Sequence, residues 1–273
     1  MKIKRGNSTF HICKTRVYNI NKIGINNNFL QNLPEYFNNH GETIFKARNE
    51  IKVFNLNGYK INVKKYCIPP IVNRVFYSVG IRTPKCKSAF LNASKILRAG
   101  FETPKPYAYI IERRNGLIRH SYLVSEQLEN VTQIRSGKGL NLIKEFANYT
   151  AVLHEKGLNP IDYTPGNILF RRENGKCRFF LVDVNRFKFK NKPLNINQAP
   201  YNLYTTMSST RNLNYFINCY ANLRAMNAKY LIGKTFFLRY VRDMYSKFKR
   251  ILKKLPGAGK LIGKPIGDVY KKG

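Results

Sequence analysis

Residues 153–189, LHEKGLNPIDYTPGNILFRRENGKCRFFLVDVNRFKF, decide how this chain is read. Asp162 is followed five positions on by Asn167, then by the apolar run Ile168-Leu169-Phe170, a polar turn at Glu173-Asn174-Gly175, and a second apolar run from Phe179 to Val182 that ends on Asp183. Moving a phosphoryl group onto a hydroxyl calls for those side chains. One carboxylate orients and deprotonates the acceptor, while an amide oxygen and a second carboxylate hold magnesium on the nucleotide phosphates. Taken singly, D-Y-T-P-G-N is an ordinary turn and an apolar run closing on Asp is an ordinary strand end. Taken in order, joined by strand, turn and strand, and preceded by a helix that stops at Gly157, they point to a phosphotransferase using ATP and Mg2+.

Upstream, Thr43-Ile44-Phe45, Ile51 to Phe54 and Lys60 to Lys64 read as strands, and Asn57-Gly58 between alternating runs is a strong hairpin signal. Strand alternation sends Lys64 and Lys65 to opposite faces, so only one of them reaches a ligand on a given face. Ile68 to Arg82 reads as a connector, and the apolar residues from Ala89 to Leu97 have helical spacing, with Gly100 as the stop. Tyr107 to Ile111 and Ser121 to Ser125 flank Asn115-Gly116, a second hairpin. Arg135-Ser136-Gly137-Lys138-Gly139 lacks the spacing and the preceding strand of a Walker phosphate loop. A helix follows from Leu140 to Lys156, in which His154 reads as a packing or capping residue.

The D-x-x-x-x-N spacing is that of kinase catalytic loops, and the surrounding residues resemble one family, the lipopolysaccharide kinases of the Kdo/heptose type. The family's catalytic loop, H-x-D-[FYL]-[ST]-P-G-N-I-L, is matched by Pro160 to Leu169, with Pro160 in place of the His. Asp183-Val184-Asn185-Arg186 is similar to its metal motif, Asn62 to Tyr66 to its phosphate-binding Lys strand, and Gly100 to Pro106 to its G-[IF]-x-T-P-x-P turn. The resemblance implies an α+β, bilobal protein-kinase-like fold: a small antiparallel β-sheet lobe over residues 40–128 and a mainly helical large lobe over 129–254. A basic extension (1–39) and a basic flexible tail (255–273) would flank the two lobes. It implies Asp162 as catalytic base, Asn167 and Asp183 as magnesium ligands and Lys64 on the nucleotide phosphates. The segment from Glu126 to Leu128 would be the hinge that meets adenine, the Glu126 side chain being either a ligand contact or a surface residue. The helix position that normally carries a Glu for the strand Lys falls on Leu91, so that Lys64 is held either by another carboxylate such as Glu102 or by none. The implied acceptor is a lipopolysaccharide core or lipid A precursor, and the implied place the cytoplasmic face of the inner membrane, with peripheral attachment.

Composition adds constraints. The chain has 273 residues, 49 Lys and Arg against 14 Asp and Glu, and a formal charge of +35. A field of that size draws polyanions: anionic lipid, phosphorylated glycolipid or nucleic acid. No nucleic-acid motif accompanies the charge, so no specific nucleic-acid partner is expected. The five cysteines lie far apart, without a C-x-x-C or Cys/His cluster, which speaks against a zinc site or a disulfide framework. No apolar stretch reaches the length of a membrane span, and the basic N-terminus lacks the apolar core of a signal peptide. Downstream, Leu213 to Ala228 and Phe236 to Leu252 read as helices. The second mixes aromatic residues with Arg and Lys, as an interfacial helix on anionic lipid or a core helix with a solvated basic face would. The missing Gly-rich loop and the missing helix Glu leave a second function open, a pseudokinase that binds an anionic glycolipid or a protein partner.

Overall fold

The structure, a computed structural model, describes residues 1–68 and 70–252; the stretch read above as a flexible tail lies outside the described residues. Three Asn-Gly pairs set the local topology. Asn57-Gly58, Asn115-Gly116 and Asn174-Gly175 hold φ of 50/80°, 50/78° and 50/77°, the doubly left-handed turn that matches the twist of an antiparallel hairpin. Each closes an antiparallel pair of strands.

In chain order the elements are β1 (Lys2–Arg5), β2 (Ser8–Lys14), α1 (Asn27–Asn39), β3 (Glu42–Lys46), β4 (Glu50–Leu56), β5 (Tyr59–Tyr66), α2 (Ile71–Ser78), α3 (Lys85–Arg98), β6 (Pro106–Arg114) and β7 (Leu117–Glu126). They continue as β8 (Thr132–Gln133), α4 (Leu140–Glu155), β9 (Leu158–Pro160), β10 (Ile168–Glu173), β11 (Lys176–Leu181), β12 (Phe187–Phe189), α5 (Pro200–Leu203), α6 (Thr210–Leu223) and α7 (Ala228–Leu252). The chain divides into two compact units, the first comprising Met1–Gln133 with Asn167–Lys188, the second Ile134–Gly166 and the residues from Phe189 onward. The first unit therefore takes back a β-hairpin from beyond the boundary at residue 128 expected from the sequence.

The first unit is built on a seven-stranded antiparallel sheet in the order β1-β2-β6-β7-β5-β4-β3. Strand alternation puts Ile61 and Val63 of β5 on one face and Lys64 and Tyr66 on the other. On the first face α1 lays Leu30, Leu33 and Phe37, spaced three and four apart, against Phe10, Phe54, Ile110 and Val124. Residues 1–39 are thus an integral part of this unit. The expectation of a basic extension is corrected here: β1 and β2 extend the sheet by pairing with β6, and α1 seals one of its faces. Cys86 of α3 packs on Tyr66, Ile111 and Ile118 of the other face. The connector expected over Ile68 to Arg82 contains the helix α2.

The second unit is helical. Phe146 and Thr150 of α4 and Phe216 and Tyr220 of α6 are fully buried, and the rings of Phe146 and Phe216 lie 5.2 Å apart. Gly157 ends α4 at φ 72°, and a Cβ there would stand 2.2 Å from the carbonyl oxygen of Lys190, so no other residue fits that corner. His154 is fully buried, its Nε2 3.0 Å from Asn202 Oδ1 and its Nδ1 3.0 Å from the Tyr220 hydroxyl. It packs, as its place near the end of α4 suggested.

Candidate active site

Within the first unit, β10 and β11 carry two of the expected ligands to one end of their hairpin. Ile168 pairs with Leu181, and the Val182 N–H donates to the Asn167 carbonyl at 2.9 Å, so Asn167 and Asp183 leave adjacent strands side by side. The Gly100 to Pro106 segment buttresses that end. The Leu181 N–H donates to the Glu102 carbonyl at 2.9 Å and the Thr103 hydroxyl to the Leu181 carbonyl at 2.7 Å. Asp183 itself sits at φ 55°, ψ 44°. A non-glycine residue in that left-handed region costs of order 1 kcal/mol and concentrates at functional sites.

Lys64, on the opposite strand face from Lys65, donates from Nζ to Asp183 Oδ1 at 2.9 Å and lies 5.3 Å from the centre of the Tyr66 ring. The Lys side chain is 15% exposed, and the Asp side chain 39%. Burial first, and then the Asp183 carboxylate, hold the Tyr66 phenol well above its ordinary range, so the ring beneath Lys64 stays neutral. Glu102 is not the partner of Lys64: its carboxylate pairs with Arg178. Leu91 does not occupy the missing Glu position either. It is 43% exposed, and the α3 side chain turned toward this site is Asn92, whose amide donates to the Val184 carbonyl at 2.8 Å. No residue of α3 is acidic. Lys85, at the start of α3, is pushed below the ordinary lysine range by burial first and then by the guanidinium groups of Arg48 and Arg186, with Asp183 acting in the opposite direction. Lys85 thus feels Arg48, Lys64 and Arg186 against the single carboxylate of Asp183, an excess of positive charge that suits a polyphosphate with a divalent cation.

In the same unit, Ile44, Val53, Phe54, Lys60, Gln127 and Leu128 help line an open cleft of about 650 Å³, together with Tyr36 of α1 and His40. Apolar Ile44, Val53, Phe54 and Leu128 share the lining with polar residues, and Gln127 to Asn130, which follow β7, all take part in it. Of the two parts expected for Glu126, the structure shows contacts at the strand end: its carboxylate accepts the Lys105 backbone N–H at 3.2 Å and pairs with Lys105 Nζ at 3.4 Å. It braces β6 against β7, and the cleft is lined by the residues that come after it.

In the second unit, Asp162 lies exposed in the loop after β9. Its neighbour Tyr163 is fully buried and anchors the loop from below, the phenol 2.9 Å from Thr150 Oγ1 and the carbonyl accepting from the Thr205 hydroxyl at 2.9 Å. The Thr164 N–H turns back to the Asp162 carbonyl at 3.0 Å, which tightens the bend that presents the carboxylate. The Arg135 N–H donates to the Pro165 carbonyl at 3.4 Å. At Gly166 a Cβ would stand 3.6 Å from the Arg135 guanidinium, so the Arg covers the glycine of the loop.

Sequence reasoning missed Asn92, Tyr163, Thr205 and Arg135. Their roles depend on contacts between residues far apart in the chain, and no local spacing announces them.

The lipopolysaccharide kinase (Kdo/WaaP) family matches residues 45–220, which covers the Lys64 strand, the Asp162 loop and the Asp183 turn. The chain belongs to that family. It is a kinase-type phosphotransferase of the group that acts in lipopolysaccharide synthesis. Among solved structures it is similar to a WaaP in complex with acyl carrier protein, at TM-score 0.52 and 13% identity over 84% of this chain and 98% of that one. That likeness is one of fold, and the fold is protein-kinase-like. Fainter similarities are to the Rio2 kinase of Chaetomium thermophilum in its ADP/Mg2+-phosphoaspartate complex (TM-score 0.44, 14% identity, 84% of this chain, 74% of that one) and to the bifunctional kinase-methyltransferase WbdD (TM-score 0.40, 17% identity, 80% and 45%). No curated protein matches the chain. Among the described residues, no helix of this lipopolysaccharide kinase family member is long and apolar enough to cross a membrane. Nor do three or more His, Cys, Asp or Glu side chains converge among the described residues. A magnesium site completed by nucleotide phosphates needs fewer protein ligands than that.

Proposed function

We propose that this kinase transfers the γ-phosphoryl group of ATP to a sugar hydroxyl, on Kdo or heptose, of the lipopolysaccharide inner core, working on its lipid-borne acceptor at the cytoplasmic face of the inner membrane. The observation that carries the reading is the Lys64–Asp183 pair at 2.9 Å, with the Asn167 backbone tied to Val182 beside it. Asp162 orients the acceptor hydroxyl and takes its proton as the new O–P bond forms and the bond to the ADP oxygen breaks. Lys64 neutralises the nucleotide phosphates, and Arg48, Lys85 and Arg186 add to the positive field around them. Asn167 and Asp183 suit magnesium, an amide oxygen and a carboxylate being the hard donors that cation takes. When bound, it neutralises charge on the β- and γ-phosphate oxygens. Backbone groups between Gln127 and Asn130 meet the base, and the apolar side chains of Ile44 and Val53 take its face.

A second reading, a kinase-shaped module that binds a glycolipid or a protein without transfer, is favoured by the lack of any carboxylate on α3. In kinases that keep it, that carboxylate holds the strand Lys in place. Here Asp183 does so directly, and the need for a helix Glu falls away.

Thermal unfolding with ATP and magnesium tests the reading. A nucleotide at one hundred times its Kd stabilises the native state by about 2.7 kcal/mol, a rise of several degrees in Tm for a chain of this size. The expected result is a magnesium-dependent rise that Asp183→Ala removes. No rise in the native sequence at saturating ATP would overturn the reading.

A further inference from the structure

The helix α7 is amphipathic the wrong way round for a helix whose only task is to pack. Toward its own unit it turns Leu231 and Thr235, both fully buried, together with Arg239 and Arg242. The Arg239 guanidinium donates to the carbonyls of Met207 and Ser208, and that of Arg242 stands 5.6 Å from the Tyr204 ring and pairs with Asp243. Away from the unit it shows Phe237, Tyr240, Met244, Tyr245, Phe248 and Ile251, each between 46% and 64% exposed. At about 100° per residue these six fall within an arc of about 140°, so they form one stripe along the outer side of the helix. Lys247 lies about 20° beyond one edge of the stripe and Lys249 about 40° beyond the other, by the same helical geometry. The whole helix carries seven basic residues and one acidic residue, Asp243.

We infer that the outer stripe of α7 docks this kinase on an anionic lipid bilayer surface. The reading deepens the proposed function, since it rests on the acceptor being a membrane lipid. Aromatic rings and a methionine at the depth of the headgroups, with lysines at the margins reaching up to the phosphates, are the arrangement of a helix that lies in the plane of an interface. Charge selects this occupant over a second copy of the chain. Two molecules of formal charge +35 would bring their lysine-bordered stripes face to face, whereas an anionic surface is complementary to both the stripe's margins and the net charge.

The sequence offers a clean probe, because it contains no Trp. In the full-length chain, Phe248→Trp is expected to shift its emission to the blue when vesicles of phosphatidylethanolamine with phosphatidylglycerol are added. Tyr59→Trp, at a position 45% exposed in the other unit, is expected not to shift. The combined variant Phe237→Ser, Tyr245→Ser, Phe248→Ser is expected to keep the ATP-dependent thermal shift and to lose at least tenfold in vesicle partition. Several results would overturn the inference: no emission change at position 248, unaltered partition of the combined variant, which would leave charge alone as the cause, or a dimer in vesicle-free solution that the combined variant abolishes. Vesicle docking that persists when the ATP-dependent shift is absent would sink the phosphotransfer reading and leave the docking surface standing.

Discussion

His154 shows how far a residue's part can be read before its neighbours are known. Its position at the end of a helix near the Asp162 loop suits either catalysis or packing, and burial settles the matter. With Asn202 Oδ1 able only to accept, Nε2 carries the proton and Nδ1 accepts from the Tyr220 hydroxyl. Burial, with a smaller push from the Arg224 guanidinium and against the Asn202 hydrogen bond, lowers the imidazole to about 3 from its ordinary 6.5. The folded state therefore stays neutral where the unfolded chain takes a proton, and stability falls as the pH drops below the unfolded value. From pH 6.5 to about pH 5 this group alone removes about 2 kcal/mol. Urea denaturation of the native chain and of His154→Gln should show the variant with the flatter acid limb; parallel limbs would contradict the assignment. Asp162, Asn167 and Asp183 stand out in the sequence as candidates because phosphoryl transfer calls for side chains of those types at that spacing. The partner of Lys64 does not, since a contact between residues 119 apart leaves no trace in either one's local sequence.

At the scale of elements, the hairpins were legible wherever Asn-Gly forced the turn, and α3 and α4 wherever apolar residues recurred at three and four. The first 39 residues were not. Their strands are short and rich in lysine, and α1 is rich in asparagine with Pro34 inside it, so local propensity argues against the helix that tertiary packing makes. Only Leu30, Leu33 and Phe37 carry the signal, and they are 0%, 0% and 1% exposed. Replacing them tests whether this segment belongs to the core. Leu33→Ala should cost about 2–5 kcal/mol and Phe37→Ala about 3–5 kcal/mol, read as a lower urea midpoint. Midpoints unchanged in both would return the segment to the status of an appendage. The orientation of α7 was illegible for a different reason: a mixed aromatic and basic pattern gives a helix without saying which stripe faces the protein.

At the scale of the whole molecule, the residues proposed for the reaction are divided between two compact units along the chain. The second supplies Asp162 on a loop pinned by Tyr163, and five residues later the first supplies Asn167 and then Asp183 on a hairpin pinned by Thr103 and Glu102. The formal +35 charge gives the molecule an attraction for phosphorylated glycolipid and for anionic bilayers without specifying the acceptor, which explains why composition alone left nucleic acid in contention. The central claim is phosphoryl transfer with Asp162 as the base. It is tested most directly by following labelled γ-phosphate from ATP into lipopolysaccharide inner core, for the native chain and for Asp162→Asn. The account predicts magnesium-dependent transfer by the native chain and a loss of roughly 10²–10⁴-fold in the variant. Transfer by the variant at the native rate, or none by the native chain to either Kdo or heptose, would contradict it.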